Sequence, residues 1–187
     1  MNPPQKKTLV YESPILSESG YGCHAREILE TFNLFGDFLD IHLVVTDWGQ
    51  TNRLNNIYSD TIVKYINKPR PSTEDKIDYY IQLALPSEFK RIGHHNIGIT
   101  AATESTLFSQ ELILGFNRMD TIVVPSDFIN HNTVLNTGHK NVITIPQTCD
   151  LNKTKKDTND VMQTITEDFC FLYNGTYGRH DNSDRKN

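Results

Sequence analysis

A short glycine-containing segment, Ser19-Gly20-Tyr21-Gly22-Cys23-His24-Ala25, leads directly into an amphipathic helical pattern. Glycine has no side chain beyond a hydrogen, so Gly20 and Gly22 allow a ligand to approach the backbone closely. The free N–H groups and the positive dipole end of the following helix suit a phosphate or a sugar oxygen. Gly20, Tyr21 and Gly22 are therefore the first candidates for ligand binding.

Three further loops follow apolar runs and carry polar or aromatic side chains. Asp47 and Trp48 come first; Trp48 is the only tryptophan, and it can either stack on a sugar face or cover the edge of a sheet. Thr103 and Glu104 lie in the second loop, where a carboxylate can accept hydrogen bonds from hydroxyl groups. Ser126 lies in the third loop, and its stronger interpretation is a helix cap, the role that serine fills at many helix starts.

These loops are positioned by apolar runs that alternate with helical patterns, which is typical of βαβ units on a mainly parallel sheet. Seven strands are predicted, at 8–12, 41–46, 61–66, 77–83, 96–100, 121–124 and 142–145. Helices are predicted at 22–35 with Gly36 as the stop, at 109–118, and from 127 to a stop at Gly138, with loops at 68–75 and 148–160. The sequence thus predicts an α/β protein with a doubly wound, mainly parallel, Rossmann-like sheet, a fold that binds ligands at the carboxyl ends of its strands.

Composition limits the number of domains and the kinds of partner. The chain has 187 residues, a hydrophobic content of 37% and a net charge of −5. That content is enough for one complete core of about 150 residues but not for two. The negative charge, without a dense Lys/Arg cluster, argues against a nucleic-acid partner and favours a small molecule.

Cysteine and histidine spacing excludes other classes of site. Cys23, Cys149 and Cys170 are odd in number and widely spaced, so they predict neither a disulfide framework nor a zinc site. The seven histidines lack ligand spacing with carboxylates, so no metal is expected. The apolar run after the N-terminus is too short for a signal peptide or a transmembrane segment. These features predict a soluble protein in the reducing environment of the cytoplasm.

The order of several motifs resembles the N-terminal, acceptor-side domain of GT-B glycosyltransferases. The motifs are Tyr11-Glu12-Ser13-Pro14 before Ser19-Gly20-Tyr21-Gly22, then Asn96-Ile97-Gly98-Ile99-Thr100 with Glu104, then Met119-Asp120-Thr121-Ile122-Val123-Val124-Pro125-Ser126 with Phe128. The similarity spans most of residues 8 to 175 and is closest to the retaining, metal-independent group that uses sugar nucleotides. The resemblance implies one half of a GT-B fold, with a sugar acceptor in its cleft and the glycine segment directed at the diphosphate of a nucleotide-sugar donor. Because that donor is a substrate, no cofactor is expected.

The resemblance also implies how the chain is organised. It gives a Rossmann-like acceptor-binding domain at 1–148, a linker at 149–168 and the start of a truncated nucleotide-sugar-binding domain at 169–187, where 169–175 matches the opening strand. Arg179 follows this strand as a further candidate for the donor phosphate, and Arg185-Lys186 matches a basic pair that would neutralise the departing diphosphate. The other interpretation of these basic residues is a polar C-terminal tail. Because the rest of that domain is absent, we expect no sugar transfer by the chain alone. A separate chain supplying the C-terminal half would reconcile fold and activity.

Two alternatives remain open. Gly20-x-Gly22-x-x-Ala25, with Asp47 at the end of the second predicted strand, formally matches the dinucleotide fingerprint of NAD-dependent oxidoreductases. Residues 13–19, including Pro14, separate the first strand from that fingerprint, whereas the fingerprint needs its first glycine directly after the strand. The other alternative is a noncatalytic carbohydrate-binding or interaction module.

Overall fold

The computed structural model describes residues 5–17, 19–48, 60–72, 76–103, 105–148 and 169–171. The chain divides into two units, Met1–Gln147 and Thr148–Asn187. In the second unit, Phe169 and Phe171 are exposed, and their rings meet edge to face with centroids 5.0 Å apart. Residues 169–171 are not in a strand, and the rest of the strand predicted at 169–175 lies outside the described residues. Arg179, Arg185 and Lys186 lie outside the described residues.

Within the described ranges of the first unit, six strands form one parallel sheet in the order β2-β1-β3-β4-β5-β6. The strands are Lys7–Ser13 (β1), Leu39–Val45 (β2), Tyr79–Leu83 (β3), His95–Ile99 (β4), Thr121–Val124 (β5) and Val142–Thr144 (β6). The helices are Gly20–Asn33 (α1), Asp60–Ile66 (α2), Gln110–Phe116 (α3) and Asp127–Thr137 (α4), with a 3-10 turn at Pro86–Glu88. The predicted α/β class and Rossmann-like parallel sheet are confirmed. No helix in the described ranges has the length and apolar character needed to cross a membrane.

The core lies on both faces of the sheet, because side chains alternate along each strand. On one face, Tyr11 of β1 is fully buried; its ring packs edge to face on Phe32, and its hydroxyl donates to the carbonyl of Ala25 at 3.3 Å. Burial raises the pKa of this hydroxyl. On the other face, Phe116 of α3 stacks on Phe108 with centroids 5.5 Å apart. Helices on both faces make the sheet doubly wound.

Residues 61–66, predicted as a strand, instead form most of α2, so that prediction is wrong. The run of β-branched residues favours a strand locally. Ile62 and Tyr65, three positions apart, are both buried in the cluster that contains α1 and β2. This spacing matches one face of a helix, so tertiary packing overrides the local preference.

Helix ends follow the predicted chemistry with small shifts. Gly138 ends α4 in the left-handed conformation, with φ 68°, as predicted. Ser109 caps α3 through a hydrogen bond from the backbone N–H of Leu112 at 3.4 Å. The first helix runs two residues earlier than predicted, from Gly20 to Asn33, and Gly36 lies in the turn that follows it.

Candidate functional site

The order in which the chain adds strands to the sheet reverses between β1 and β3. From β1 the chain moves outward to β2, and then returns to β3 on the other side of β1. In open α/β sheets, ligands bind in the crevice outside the carboxyl ends of the strands at such a switch point. The segments around this crevice are the loop after β1, the start of α1, the residues after β2 and the 3-10 turn after β3.

The start of α1 is fixed by two serines. Ser19 is the N-cap, and its hydroxyl accepts from the backbone N–H of Gly22 at 3.2 Å. Ser17 supports Ser19, since its hydroxyl donates to the Ser19 hydroxyl at 2.8 Å and accepts from the Ser19 backbone N–H at 3.1 Å. Gly20 and Gly22 therefore belong to the first turn of α1 and not to a loop before it.

The two glycines have different surroundings. A Cβ atom on Gly22 would lie 2.0 Å from the carbonyl oxygen of Ser17 and 3.1 Å from that of Pro14. Gly22 is thus needed for the backbone of the loop to pack against α1. A Cβ atom on Gly20 would meet nothing within 4 Å, so Gly20 leaves the helix start open.

Arg26 holds the loop after β1 against α1. One guanidinium nitrogen donates to the carbonyl oxygens of Ile15 and Ser17, both at 2.8 Å, and the other donates to the sulfur of Cys23 at 3.2 Å. We call residues 14–17 the lip. Arg26 and Gly22 together give the lip one defined position over the end of β1.

Tyr21 reaches from α1 to the end of β4. Its hydroxyl lies 3.2 Å from the hydroxyl of Thr100 and accepts from the backbone N–H of Ala101 at 3.0 Å. Thr100, almost fully buried, also accepts from the backbone N–H of Ala102 at 3.0 Å. Ala102 has a φ of 52°, a left-handed conformation that costs a residue with a Cβ atom about 1–2 kcal/mol. The Tyr21 hydroxyl thus helps to hold a strained turn beside the crevice.

Trp48 reaches across the crevice from the opposite side. Its ring lies against that of Tyr21 with centroids 5.1 Å apart and an interplanar angle of 59°. Its indole N–H donates to the carboxylate of Glu88 in the 3-10 turn at 3.1 Å. Tyr21 and Trp48, which we call the aromatic pair, therefore connect the segments after β2, β3 and β4 around the switch point.

The other predicted site residues lie in several places. Asp47 is exposed beside Trp48. Thr103 is half-buried, with its hydroxyl 3.3 Å from that of Ser105, and Glu104 lies outside the described residues. Ser126 is the N-cap of α4, accepting from the backbone N–H of Ile129 at 3.4 Å. Of the predicted residues, the structure thus brings Tyr21 and Trp48 into contact and gives Ser126 the capping role that the sequence favoured.

Glu88 is a candidate that the sequence analysis missed. Its position after a buried strand, at the end of the short turn that Pro86 begins, resembles the position for which Glu104 was predicted as a site residue. The run after the strand, Ala84-Leu85-Pro86-Ser87-Glu88, contains no glycine and no second acidic residue, so nothing distinguished it from an ordinary connection.

A buried ionisable cluster lies near the same end of β1 and β3. Glu12 accepts from Gln82 at 3.0 Å, from the Lys90 ammonium at 2.7 Å and from the Tyr80 hydroxyl. Burial, followed by the bond to Glu12, raises the pKa of Tyr80. Because both carboxylate oxygens have donors, this cluster stabilises the pairing of β1 with β3, and it leaves neither oxygen of the Glu12 carboxylate without a partner.

His24, the fifth residue of α1, has a buried Nδ1 that meets no hydrogen-bond partner among the described residues. Burial lowers its pKa, and the charge of Glu27 partly offsets this. No group of three His, Cys, Asp or Glu side chains within the described ranges is arranged to hold a metal ion.

The chain therefore forms a doubly wound parallel α/β domain, and the aromatic pair lies at the switch point of its sheet. No protein-family model, curated protein or solved structure matches the chain.

Proposed function

We propose that this domain is the acceptor-side half of a glycosyltransferase of the GT-B type, and that a sugar acceptor binds at the aromatic pair. The observation that carries the proposal is the contact of Tyr21 and Trp48 at the switch point, with the Trp48 indole bound to Glu88. Aromatic faces pack against the apolar C–H surface of a sugar ring. The Glu88 carboxylate can accept hydrogen bonds from sugar hydroxyls.

Gly20 supports a nearby position for the donor. It is exposed in the first turn of α1, where backbone N–H groups and the helix dipole favour a negatively charged group. The donor in this proposal is a nucleotide sugar, and Gly20 faces its diphosphate. Sugar transfer then also needs a nucleotide-binding half. Arg179, Arg185 and Lys186, which we propose as phosphate contacts of that half, lie outside the described residues.

The packing of Gly22 disfavours the dinucleotide alternative. In the NAD fingerprint the second glycine lets the pyrophosphate approach the backbone. Here the Ser17 carbonyl already occupies the space beside Gly22, 2.0 Å from where a Cβ atom would lie. The lip would have to move before a pyrophosphate could bind in that way.

Calorimetric titration of the purified chain with a panel of glycans tests the proposal. We expect heat from an acceptor glycan, loss of that heat in Trp48→Leu, and no effect in Phe128→Leu, whose exposed ring lies on α4. Heat from NAD but from no glycan would refute the proposal. Glycan binding without transfer, even when a nucleotide-sugar-binding half is added, would identify a noncatalytic carbohydrate-binding module instead.

A further inference from the structure

A cavity of 430 Å³ opens at the amino-terminal edge of the sheet, the edge opposite the aromatic pair. Its lining comes from the starts of β1 and β2 and from the segment before β3, and includes Lys6, Lys7, Asp40, His42, Lys76 and Asp78. A second cavity, of 480 Å³, shares Lys7, Lys76 and Asp78 and adds the rings of Tyr79, His94 and His95. The two openings therefore meet at one group of charged side chains.

Asp78 organises these charges. One carboxylate oxygen accepts from the backbone N–H of Thr8 at 3.0 Å, and the other lies 3.1 Å from the Lys76 ammonium and 3.6 Å from that of Lys7. The pKa of Asp78 is lowered mainly by the hydrogen bond from the Thr8 backbone N–H, and next by the hydrogen bond from Lys76. The Asp78 side chain is only 15% exposed, whereas those of Lys7 and Lys76 are 58% and 72% exposed. Each ammonium has three donors, so both lysines retain N–H groups for another acceptor.

Among the described side chains around the first cavity, positive charges outnumber negative ones. Its lining carries the three ammonium groups of Lys6, Lys7 and Lys76 and the two carboxylates of Asp40 and Asp78. Lys68, bound to Asp40, adds a fourth ammonium. Four positive charges against two negative ones leave a surplus of two among these side chains. This surplus stands out in a chain with a net charge of −5.

We propose that this cavity is a second ligand site, which binds the phosphate group of a small molecule between Lys7 and Lys76. A phosphate group carries about 1.5 to 2 negative charges at neutral pH, close to the local surplus. Lysine binds phosphate as a point charge and needs no fixed fork geometry, which fits two exposed and flexible side chains. The second cavity leaves room beside Tyr79 and His95 for the remainder of a phosphate ester.

The cavity shape favours a small molecule over a membrane surface. Its charged groups surround a concavity formed by the starts of β1 and β2 and the segment before β3, and two carboxylates lie among the ammonium groups, whereas a polybasic contact with lipid is a cluster of cations alone. The site shares no residue with the aromatic pair, so it does not depend on the function proposed for the opposite edge.

Titration of the full chain with inorganic phosphate, ribose 5-phosphate and vesicles containing phosphatidylglycerol tests the proposal. Binding is followed by calorimetry and by the NMR chemical shift of the Thr8 amide, whose N–H donates to Asp78. We expect saturable binding of one or both soluble phosphates with a shift of the Thr8 signal. The double variant Lys7→Gln, Lys76→Gln should weaken this binding at least about tenfold, because two charge-assisted hydrogen bonds are lost.

Lys140→Gln is the matched control, since Lys140 is an exposed lysine just before β6, at the far end of the sheet. It should bind like the unmodified chain. A stronger response to ribose 5-phosphate than to phosphate would locate the rest of the ligand in the second cavity. Absence of a Thr8 shift with both soluble phosphates, equal binding by the double variant, or binding to vesicles alone would overturn the proposal.

Discussion

Replacing Gly22 with alanine should strongly destabilise the domain, whereas the same change at Gly20 should not. The new Cβ atom would lie 2.0 Å from the Ser17 carbonyl oxygen, where ordinary contact begins at 3.4 Å, an overlap of 3.4 − 2.0 = 1.4 Å. The lip and α1 must therefore separate by about 1 Å or more. Such a movement breaks both hydrogen bonds from Arg26, to Ile15 and Ser17 at 2.8 Å.

The cost of that movement can be approximated from these contacts. A hydrogen bond to a charged group contributes about 1.5–3 kcal/mol, so losing two costs about 3 kcal/mol or more. Moving the lip also partly exposes Ile15, which is fully buried, and this raises the expected loss to about 4–5 kcal/mol. That is a large part of the roughly 5–15 kcal/mol that stabilises a typical domain.

Urea unfolding, followed by the fluorescence of Trp48 and by circular dichroism, measures the effect. Gly20→Ala is the control, because its Cβ atom meets nothing and Gly20 has an ordinary helical backbone. We expect its free energy of unfolding to change by about 0.5 kcal/mol or less. Equal unfolding midpoints for the two variants would refute the idea that Gly22 is needed for packing of the lip.

Two further predictions concern a hydroxyl and a carboxylate. Tyr21→Phe keeps the ring but removes the acceptor for the Ala101 N–H, so it should lower the free energy of unfolding by about 1 kcal/mol and accelerate hydrogen exchange at Ala101. The control Tyr79→Phe, at an exposed tyrosine, should leave this exchange unchanged. Unchanged exchange in Tyr21→Phe would contradict the prediction. For Asp120, burial acts to raise the pKa, but hydrogen bonds from Asn96 and pairing with Arg91 outweigh it and lower the pKa to about 2. A lowered carboxyl pKa stabilises the fold above the unfolded value, near pH 4, and this contribution is lost as the pH falls toward 2. Urea unfolding at about pH 5 and about pH 2.5 measures how much free energy of unfolding each protein loses on acidification. This loss should be about 1 kcal/mol smaller in Asp120→Asn than in the unmodified chain, a value discounted for the partial exposure of the carboxylate. An equal loss in both proteins would count against the lowered pKa of Asp120.

The strands and their parallel arrangement could be predicted because their apolar runs are buried and separated by turn residues. The 4-residue strand β5 was predicted with exact bounds, and β1, β2 and β4 within a few residues. The α2 segment could not be predicted in the same way, because the run of β-branched residues before Lys64 favours a strand locally. Only packing of Ile62 and Tyr65 against α1 and β2 makes it helical.

The candidate site was predictable only in part. Glycine spacing before an amphipathic helix indicated Gly20 and Gly22, but the sequence does not reveal that the Ser17 carbonyl lies against Gly22. Likewise, no spacing rule connects Trp48 with Glu88, which are 40 residues apart in sequence and meet because β1 lies between β2 and β3. Such contacts depend on strand order, which local patterns do not determine.

The buried cluster at Glu12 has a consequence for how the chain selects its fold. Glu12 and Gln82 are directly opposite each other where β1 pairs with β3. If the two strands were displaced by one residue, the carboxylate would lose the Gln82 amide, and a charge stripped of its donors inside a protein is severely unfavourable. Glu12 on β1 and its partners Tyr80 and Gln82 on β3 therefore favour the observed register of the two central strands over a shifted one.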